Sequence, residues 1–159
     1  MKNNGFTLIE ALFAILLVGL AIASLMGANT SFTRSNGAGA ELSTAEFLLE
    51  QVKELTATLP VSDPQATTWT TFGPEEASLA AYDDLDDFDG AGFSPPISAG
   101  RVSLADFAAF TQQVTVQNVS ASNFAIVVPD RSTAFVRVTV RVLHNSAEIS
   151  SASWIRARY

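Results

Sequence analysis

The feature that most constrains this chain is an apolar run near its beginning that contains a single carboxylate. The run extends from Phe6 to Met26 and follows a short polar leader, Met1–Gly5. A helix of about 21 residues is roughly 30 Å long, which is enough to cross the hydrocarbon core of a bilayer. Glu10 is the only ionisable residue in the run. Because an acid at the centre of a membrane helix costs about 2.5–3.5 kcal/mol, its presence there indicates a function.

The residues around Glu10 suggest which function. The hexapeptide Gly5-Phe6-Thr7-Leu8-Ile9-Glu10, followed directly by the apolar run, resembles the processing site of type IV pilins and type II secretion pseudopilins. The resemblance covers about the first 30 residues. It implies that a prepilin peptidase cuts between Gly5 and Phe6 and methylates the new amino terminus of Phe6. It also implies that Phe6 and Glu10, the first and fifth residues of the mature chain, are the assembly residues.

The physical chemistry is consistent with that implication. The free amine of Phe6 would be a cation at the end of an apolar rod. A Glu10 carboxylate on a neighbouring helix can neutralise this cation when subunits pack side by side. Charges taken out of water are tolerated when they are paired.

Two other interpretations of the run remain open. One is a secretory signal peptide, because Lys2 is a minimal positive region and Ala21-Ile22-Ala23 is an A-x-A cleavage site. The other is a plain single-span anchor. A carboxylate early in the apolar region argues against both. In every case Lys2 precedes the span, which predicts a cytoplasmic amino terminus in the inner membrane and an exported remainder.

Length and composition indicate one exported domain. We expect a leader at 1–5, a transmembrane or filament-core helix at 6–26 and a globular pilin-like domain at 27–159, a comfortable size for one small domain. The net charge of −7 argues against a nucleic-acid binder. The chain has no cysteine, which excludes thiol catalysis and zinc–thiolate sites. In this it differs from the many pilins that close a C-terminal loop with a disulfide.

The hydrophobic pattern predicts an α+β fold. Residues that weaken helices, such as Gly27 and Gly39, predict a loosened helix between those two positions. An amphipathic second half should resume near Ala40 and end at Pro60. We interpret Val61–Gly100 as a loop that its aromatic residues anchor. The last third has the period of strands, at 110–119, 124–128, 135–143 and 148–158. A long helix followed by an antiparallel sheet of about four strands is an α+β arrangement.

An acidic segment at 82–90 is the sharpest feature outside the amino terminus. Its aspartates are Asp83, Asp84, Asp86, Asp87 and Asp89. Calcium prefers several carboxylate or carbonyl oxygens on a flexible loop, so these aspartates form a candidate calcium site. The segment does not fit the EF-hand pattern, because Leu85 would occupy the first ligand position. The alternative is structural: the apolar residues of the segment tuck inward while the aspartates cap turns and face water.

These observations predict a structural subunit rather than an enzyme. His144 is the only histidine and lies in a predicted turn, and no catalytic motif occurs. We expect a minor pilin or pseudopilin of a type IV pilus or type II secretion filament. The expected partners are other pilins or pseudopilins, the prepilin peptidase and the inner membrane, with no nucleic acid. The alternative is a membrane-anchored or filament-tip binding or adhesion module that uses the acidic segment.

Overall fold

A computed structural model describes residues 6–64 and 72–158. The chain divides into two compact units, Met1–Ala40 and Glu41–Tyr159. The first element, helix α1, spans Leu8–Ala57, so it begins in the first unit and ends in the second. The first unit contains no element other than this helix among its described residues.

The first part of α1 is apolar on all sides, and none of the residues that the structure describes covers it. From Leu8 to Met26 the large apolar side chains are between 54% and 82% exposed. An isolated soluble protein rarely leaves so much contiguous apolar surface in water. This part of α1 has the length and composition needed to cross a membrane, which agrees with the sequence-based expectation.

The predicted loosening of the helix between Gly27 and Gly39 is wrong. Helix α1 is continuous through this stretch. Threonine side chains in this stretch form hydrogen bonds within the helix. The Thr30 hydroxyl donates to the Met26 carbonyl at 3.0 Å, and the Thr33 hydroxyl donates to the Asn29 carbonyl at 3.0 Å. Weak propensity summed over a few residues lowers helix stability, but without a proline no backbone hydrogen bond has to break.

The second unit is built on one antiparallel sheet. Its strands are β1 (Gly92–Phe93), β2 (Phe110–Ser120), β3 (Asn123–Val127), β4 (Phe135–His144) and β5 (Ala147–Ala157). The order across the sheet is β1-β2-β4-β5, and β3 pairs with the far end of β2. The four predicted strands are confirmed, and the two-residue β1 is an addition inside the segment expected to be a loop. The α+β prediction is therefore confirmed with five strands.

The two faces of the sheet differ as the alternation in β4 predicted. The side chains of Val136, Val138, Val140 and Val142 are all 0% exposed. Thr139, on the opposite face of β4, instead shares a hydrogen bond with Ser153 of β5 at 3.0 Å. The second half of α1 supplies the other side of the core through Ala45, Leu48, Leu49, Val52 and Leu55. This unit is a helix packed on one face of a sheet.

Polar side chains reach into this core to connect its layers. Gln112 of β2 is fully buried, and its amide donates to the carbonyl of Leu48 in α1 at 2.8 Å. The same side chain accepts from the Ile97 amide at 2.8 Å and donates to the Ile97 carbonyl at 3.1 Å. Helix, sheet and connecting segment thus meet at one side chain whose hydrogen bonds are satisfied.

The segment between α1 and the sheet is anchored, as its aromatic residues predicted. Leu85 and Phe88 are fully buried, and Tyr82 packs edge-on against Phe88 with ring centroids 5.1 Å apart. The Leu85 amide donates to the Pro60 carbonyl at 3.0 Å, just beyond the end of α1. Trp69, another residue expected to anchor the segment, lies outside the described residues.

Candidate functional site

Helix α1 begins with a reciprocal capping arrangement between Thr7 and Glu10. The Thr7 amide and the Thr7 hydroxyl both donate to the Glu10 carboxylate, at 2.9 and 2.8 Å. In return the Glu10 amide donates to the Thr7 hydroxyl at 3.3 Å. This is the capping box that the pattern Thr-x-x-Glu produces just before an apolar run. Glu10 therefore stabilises the first turn of its own helix.

The capping box places the predicted assembly residues at one end of an uncovered apolar rod. Phe6 is 86% exposed and directly precedes the cap. Gly5, the other half of the predicted cleavage site, lies outside the described residues. The Glu10 carboxylate is exposed, and it accepts hydrogen bonds from the amide and hydroxyl of Thr7.

The acidic segment forms a compact cluster, and two glutamates from outside the segment join it. One carboxylate oxygen each of Asp83, Asp84 and Asp87 lie within 4.8 Å of one another. Glu75, Glu76 and Asp87 form a second group with the same spacing. Asp87 belongs to both groups, so four other carboxylates lie around it and the two groups together contain five residues. We refer to these five residues as the carboxylate cluster.

The other two predicted ligands, Asp86 and Asp89, are not in either group. The Asp89 carboxylate accepts a hydrogen bond from the Val116 amide at 2.8 Å and so fixes the segment to β2. Asp86 lies beside Asp84 and contributes its charge to the surroundings of that residue. The five aspartates predicted as one ligand set are thus split, three in the cluster and two outside it.

The structural alternative from the sequence is half right. Leu85 and Phe88 do turn inward, as expected. The expectation that the aspartates face water is wrong for three of them: Asp84 is 1% exposed, Asp86 1% and Asp87 0%. The short 3₁₀ turn Asp86–Phe88 is buried as a whole, and its carboxylates are buried with its aromatic ring.

Loop amides donate hydrogen bonds to only one of the two oxygens of each buried carboxylate, Asp84 and Asp87. Asp87 accepts from the amides of Asp83 at 2.9 Å and Asp84 at 3.3 Å through one oxygen, Oδ2. Asp84 accepts from the Asp87 amide at 3.2 Å through Oδ1. Asp87 Oδ1, Asp84 Oδ2, Asp83 Oδ1 and Glu76 Oε2 are buried and have no hydrogen-bond donor among the described residues. Buried polar atoms without partners are uncommon and require an explanation.

The crowding of acids also changes their proton affinities. Burial, followed by the neighbouring Asp86, raises the pKa of Asp84 to about 9. The adjacent Asp87 carboxyl group, together with burial, raises the pKa of Glu76 to about 7. Both shifts have the sign expected when water is removed from carboxylates that also repel one another. The cluster therefore favours any species that neutralises it.

His144 does not occupy the exposed turn that the sequence predicted. It is the last residue of β4, and its ring stacks on Phe110 with centroids 4.5 Å apart. Its Nδ1 lies 3.5 Å from a carboxylate oxygen of Glu41 in α1. The stacked, paired ring closes one end of the helix–sheet core.

Three of the site residues were missed by sequence reasoning. Thr7 could have been found, because Thr-x-x-Glu ahead of an apolar run is a recognised capping signature. Glu75 and Glu76 had no comparable signal. They lie six and seven residues before the acidic segment, and only the folding of the loop brings them to Asp87.

Comparison with known proteins supports the amino-terminal assignment. Residues 1–26 match the family described as the prokaryotic N-terminal methylation motif. No curated protein and no solved structure shows significant similarity to the chain. The match includes Phe6, Thr7 and Glu10 and ends where the apolar run ends.

Proposed function

We propose that this chain, which carries the signature of type IV pilin and pseudopilin precursors, is a non-enzymatic subunit of a type IV pilus or type II secretion filament. The observation that carries the proposal is the methylation motif at residues 1–26 continuing into a helix whose apolar surface is uncovered. The motif indicates a precursor that is processed and methylated. The exposed helix supplies the surface through which subunits would associate.

The proposed mechanism is polymerisation through α1. The precursor is held in the inner membrane by its apolar helix, with the amino terminus in the cytoplasm and the sheet-bearing unit exported. The prepilin peptidase cuts after Gly5, and Phe6 becomes a methylated amino terminus. The helix then leaves the lipid and packs among the helices of other pilins or pseudopilins. One apolar environment replaces another, so the transfer itself requires little change in hydrophobic free energy.

Pairing of charges between neighbouring subunits would fix how far one α1 helix is shifted along the next. The amine of Phe6 and the carboxylate of Glu10 would be unpaired charges inside a bundle of apolar helices. Pairing them between neighbouring subunits removes both penalties at once. Glu10 is available for this role because its present partners, the amide and hydroxyl of Thr7, belong to its own chain.

An adhesion module that uses the acidic segment receives less support from the structure. Such a surface would need its charged groups in water. Asp84, Asp86 and Asp87 are instead buried, and the Asp89 carboxylate already accepts a hydrogen bond from a backbone amide of β2. The segment is therefore better suited to an internal role than to contact with a large partner.

Processing and incorporation can be tested together in the native host. Intact-mass analysis should show a mature chain that begins at Phe6 and carries one added methyl group. The same mature species should occur in the fraction of filaments sheared from cells or in the isolated secretion complex. A mature chain beginning at Ser24 would show that the segment is a signal peptide, and an uncleaved chain confined to the membrane would show that it is an anchor.

A further inference from the structure

We propose that Glu75, Glu76, Asp83, Asp84 and Asp87 bind one calcium ion centred on Asp87. The site differs from the one the sequence suggested, because Asp86 and Asp89 leave the ligand set and two glutamates enter it. The proposal does not depend on filament assembly, since all five residues lie in the second unit.

The spacing of the carboxylates fits one coordination shell. Calcium binds oxygen ligands at about 2.3–2.6 Å, so two ligands on opposite sides of one ion can be about 4.6–5.2 Å apart. Within each of the two groups the ligand oxygens lie within 4.8 Å of one another, and Asp87 is common to both groups. A single ion beside Asp87 would therefore draw its ligands from both groups.

The unsatisfied oxygens supply an independent reason to expect a ligand. Asp84 and Asp87 are at least 99% buried, and each leaves one carboxylate oxygen without a donor. Their other oxygens are already held by loop amides, which fixes the orientation of both carboxylates. Two oriented and buried acceptors beside further carboxylates form a prearranged cation site.

No basic side chain neutralises the cluster. Within residues 6–64 and 72–158, none of the five carboxylates forms a salt bridge with lysine, arginine or histidine. Arg101 lies next to the same segment, but its guanidinium donates to the carbonyls of Leu79, Ala80 and Tyr82. The described residues supply no cationic side chain to this cluster, so an ion or a proton from solution is left to balance its negative charge.

The donor set selects a hard cation, and calcium in particular. All five side chains offer carboxylate oxygens, whereas zinc and copper sites rely on imidazole or thiolate ligands. Magnesium requires a near-ideal octahedron at 2.0–2.1 Å and gives up its water reluctantly. A crowded, mixed set of aspartates and glutamates suits the larger and more tolerant calcium ion.

Bound calcium would hold the segment in its folded position. Two residues of the cluster adjoin hydrogen bonds that anchor the segment: Asp84 directly precedes Leu85, whose amide donates to the Pro60 carbonyl near the end of α1, and Asp87 lies two residues before Asp89, which accepts from the Val116 amide of β2. Neutralising the buried carboxylates would remove the repulsion that opposes both anchors. Calcium should therefore stabilise the whole second unit.

The test uses the full-length chain in detergent micelles after treatment with a chelator. Titration with CaCl₂ in a calorimeter should show binding with a dissociation constant of about 10⁻⁵–10⁻³ M. The same calcium should raise the melting temperature, because it binds the native state and not the unfolded chain. Magnesium at equal concentration should produce a smaller rise.

Paired variants identify the site. Asp84→Asn with Asp87→Asn keeps the shape of both side chains and an acceptor for each loop amide. It should weaken calcium binding by about a hundredfold or more, since even groups that only orient ligands cost 10–100-fold. Without calcium this variant should melt at the same temperature as the parent or higher, because the mutual repulsion of the crowded acidic groups is reduced. The matched control is Asp89→Asn, in the same segment but outside both groups, which should leave calcium affinity unchanged.

Three results would overturn the proposal. They are no binding heat and no melting shift in the parent chain, a full calcium response in the Asp84/Asp87 variant, or an equal loss in the Asp89→Asn control. If the double variant does not fold, Glu76→Gln decides the question, because Glu76 is only half-buried and makes no contact with the loop amides of Asp83 and Asp84. A full calcium response in Glu76→Gln would then contradict the assignment.

Discussion

Glu10 has two physical roles that a substitution to alanine alone would confuse. In the single chain it completes the capping box with Thr7. In the proposed filament it pairs with the amine of a neighbouring Phe6. Loss of a cap costs about 1 kcal/mol of helix stability. Loss of one partner from a buried charge pair costs about 3–5 kcal/mol.

A set of three variants separates these roles. Glu10→Gln keeps the capping box, since glutamine also serves at this position, but it removes the charge. Thr7→Ala removes the cap and keeps the charge, and Glu10→Ala removes both. If charge pairing drives assembly, both Glu10 variants should be cleaved after Gly5, stay in the membrane and be absent from sheared filaments. The association constant between subunits should fall several hundredfold or more, because the pair costs about 3–5 kcal/mol to break and about 1.4 kcal/mol corresponds to a tenfold change.

Thr7→Ala is the control for this set. It should enter filaments almost as well as the parent chain, because the Glu10 carboxylate remains available for pairing. Normal incorporation of Glu10→Gln together with exclusion of Thr7→Ala would show that helix capping matters and that charge pairing does not. Cleavage after Gly5 should be verified by mass for each variant, so that a processing defect is not mistaken for an assembly defect.

At the scale of the element, α1 persists through a stretch whose residues favour other conformations. Gly37 and Gly39 each lower helix stability by about 1 kcal/mol relative to alanine. A Cβ added at either glycine would meet nothing within 4 Å. This part of α1 is therefore helical but weakly held, since few contacts besides its own hydrogen bonds support it.

The double variant Gly37→Ala with Gly39→Ala should strengthen α1 without disturbing any neighbour. We expect slower amide hydrogen exchange across residues 30–40 of the full-length chain in micelles, by about tenfold for each 1.4 kcal/mol gained. Ala38→Gly, an exposed helix position between the two, should have the opposite effect. Exchange that is equally fast in all three chains would mean that this stretch is not helical in solution.

At the scale of the whole molecule, the two units differ in what stabilises them. The described residues of the first unit bury no apolar side chain, and under the proposed function lipid or other subunits would cover this surface. The second unit has a core of its own, and Arg156 of β5 binds the end of α1 beside that core. Arg156 donates to the carbonyls of Thr56, Ala57 and Leu59 at 2.8–2.9 Å. Thr56 and Ala57 are the last two residues of α1, where no further helical turn supplies donors to the carbonyls.

Arg156→Met should therefore destabilise the second unit more than its partly exposed position suggests. Hydrogen bonds from a charged donor contribute about 1.5–3 kcal/mol, and methionine retains much of the apolar stem. We expect a loss of about 2–3 kcal/mol in urea unfolding of the full-length chain followed by tryptophan fluorescence. The matched control is Arg141→Met, which removes the exposed ion pair with Glu148 and should cost less than about 1 kcal/mol. Equal losses in the two variants would refute the capping role of Arg156.

The sequence alone determined the features that depend on local pattern. The apolar run predicted a helix long enough to span a membrane, whereas the processing motif was implied by the resemblance of residues 5–10 to pilin precursors. The alternation in β4 predicted which valines are buried. Both follow from periodicity along the chain, because a helix or strand places side chains at fixed intervals whatever surrounds it. The capping box of Thr7 and Glu10 was equally local and could have been predicted.

Only the tertiary structure decided the features that join distant segments. Arg156 reaches carbonyls about 100 residues earlier in the chain, and Gln112 bonds to Leu48 across 64 residues. The carboxylate cluster likewise could not be predicted from the sequence, although its residues are closer together in the chain. A run of aspartates predicted that acids would be close together. It could not predict which of them would be buried, because burial depends on how the loop packs against α1 and the sheet, and that packing is set by side chains outside the run.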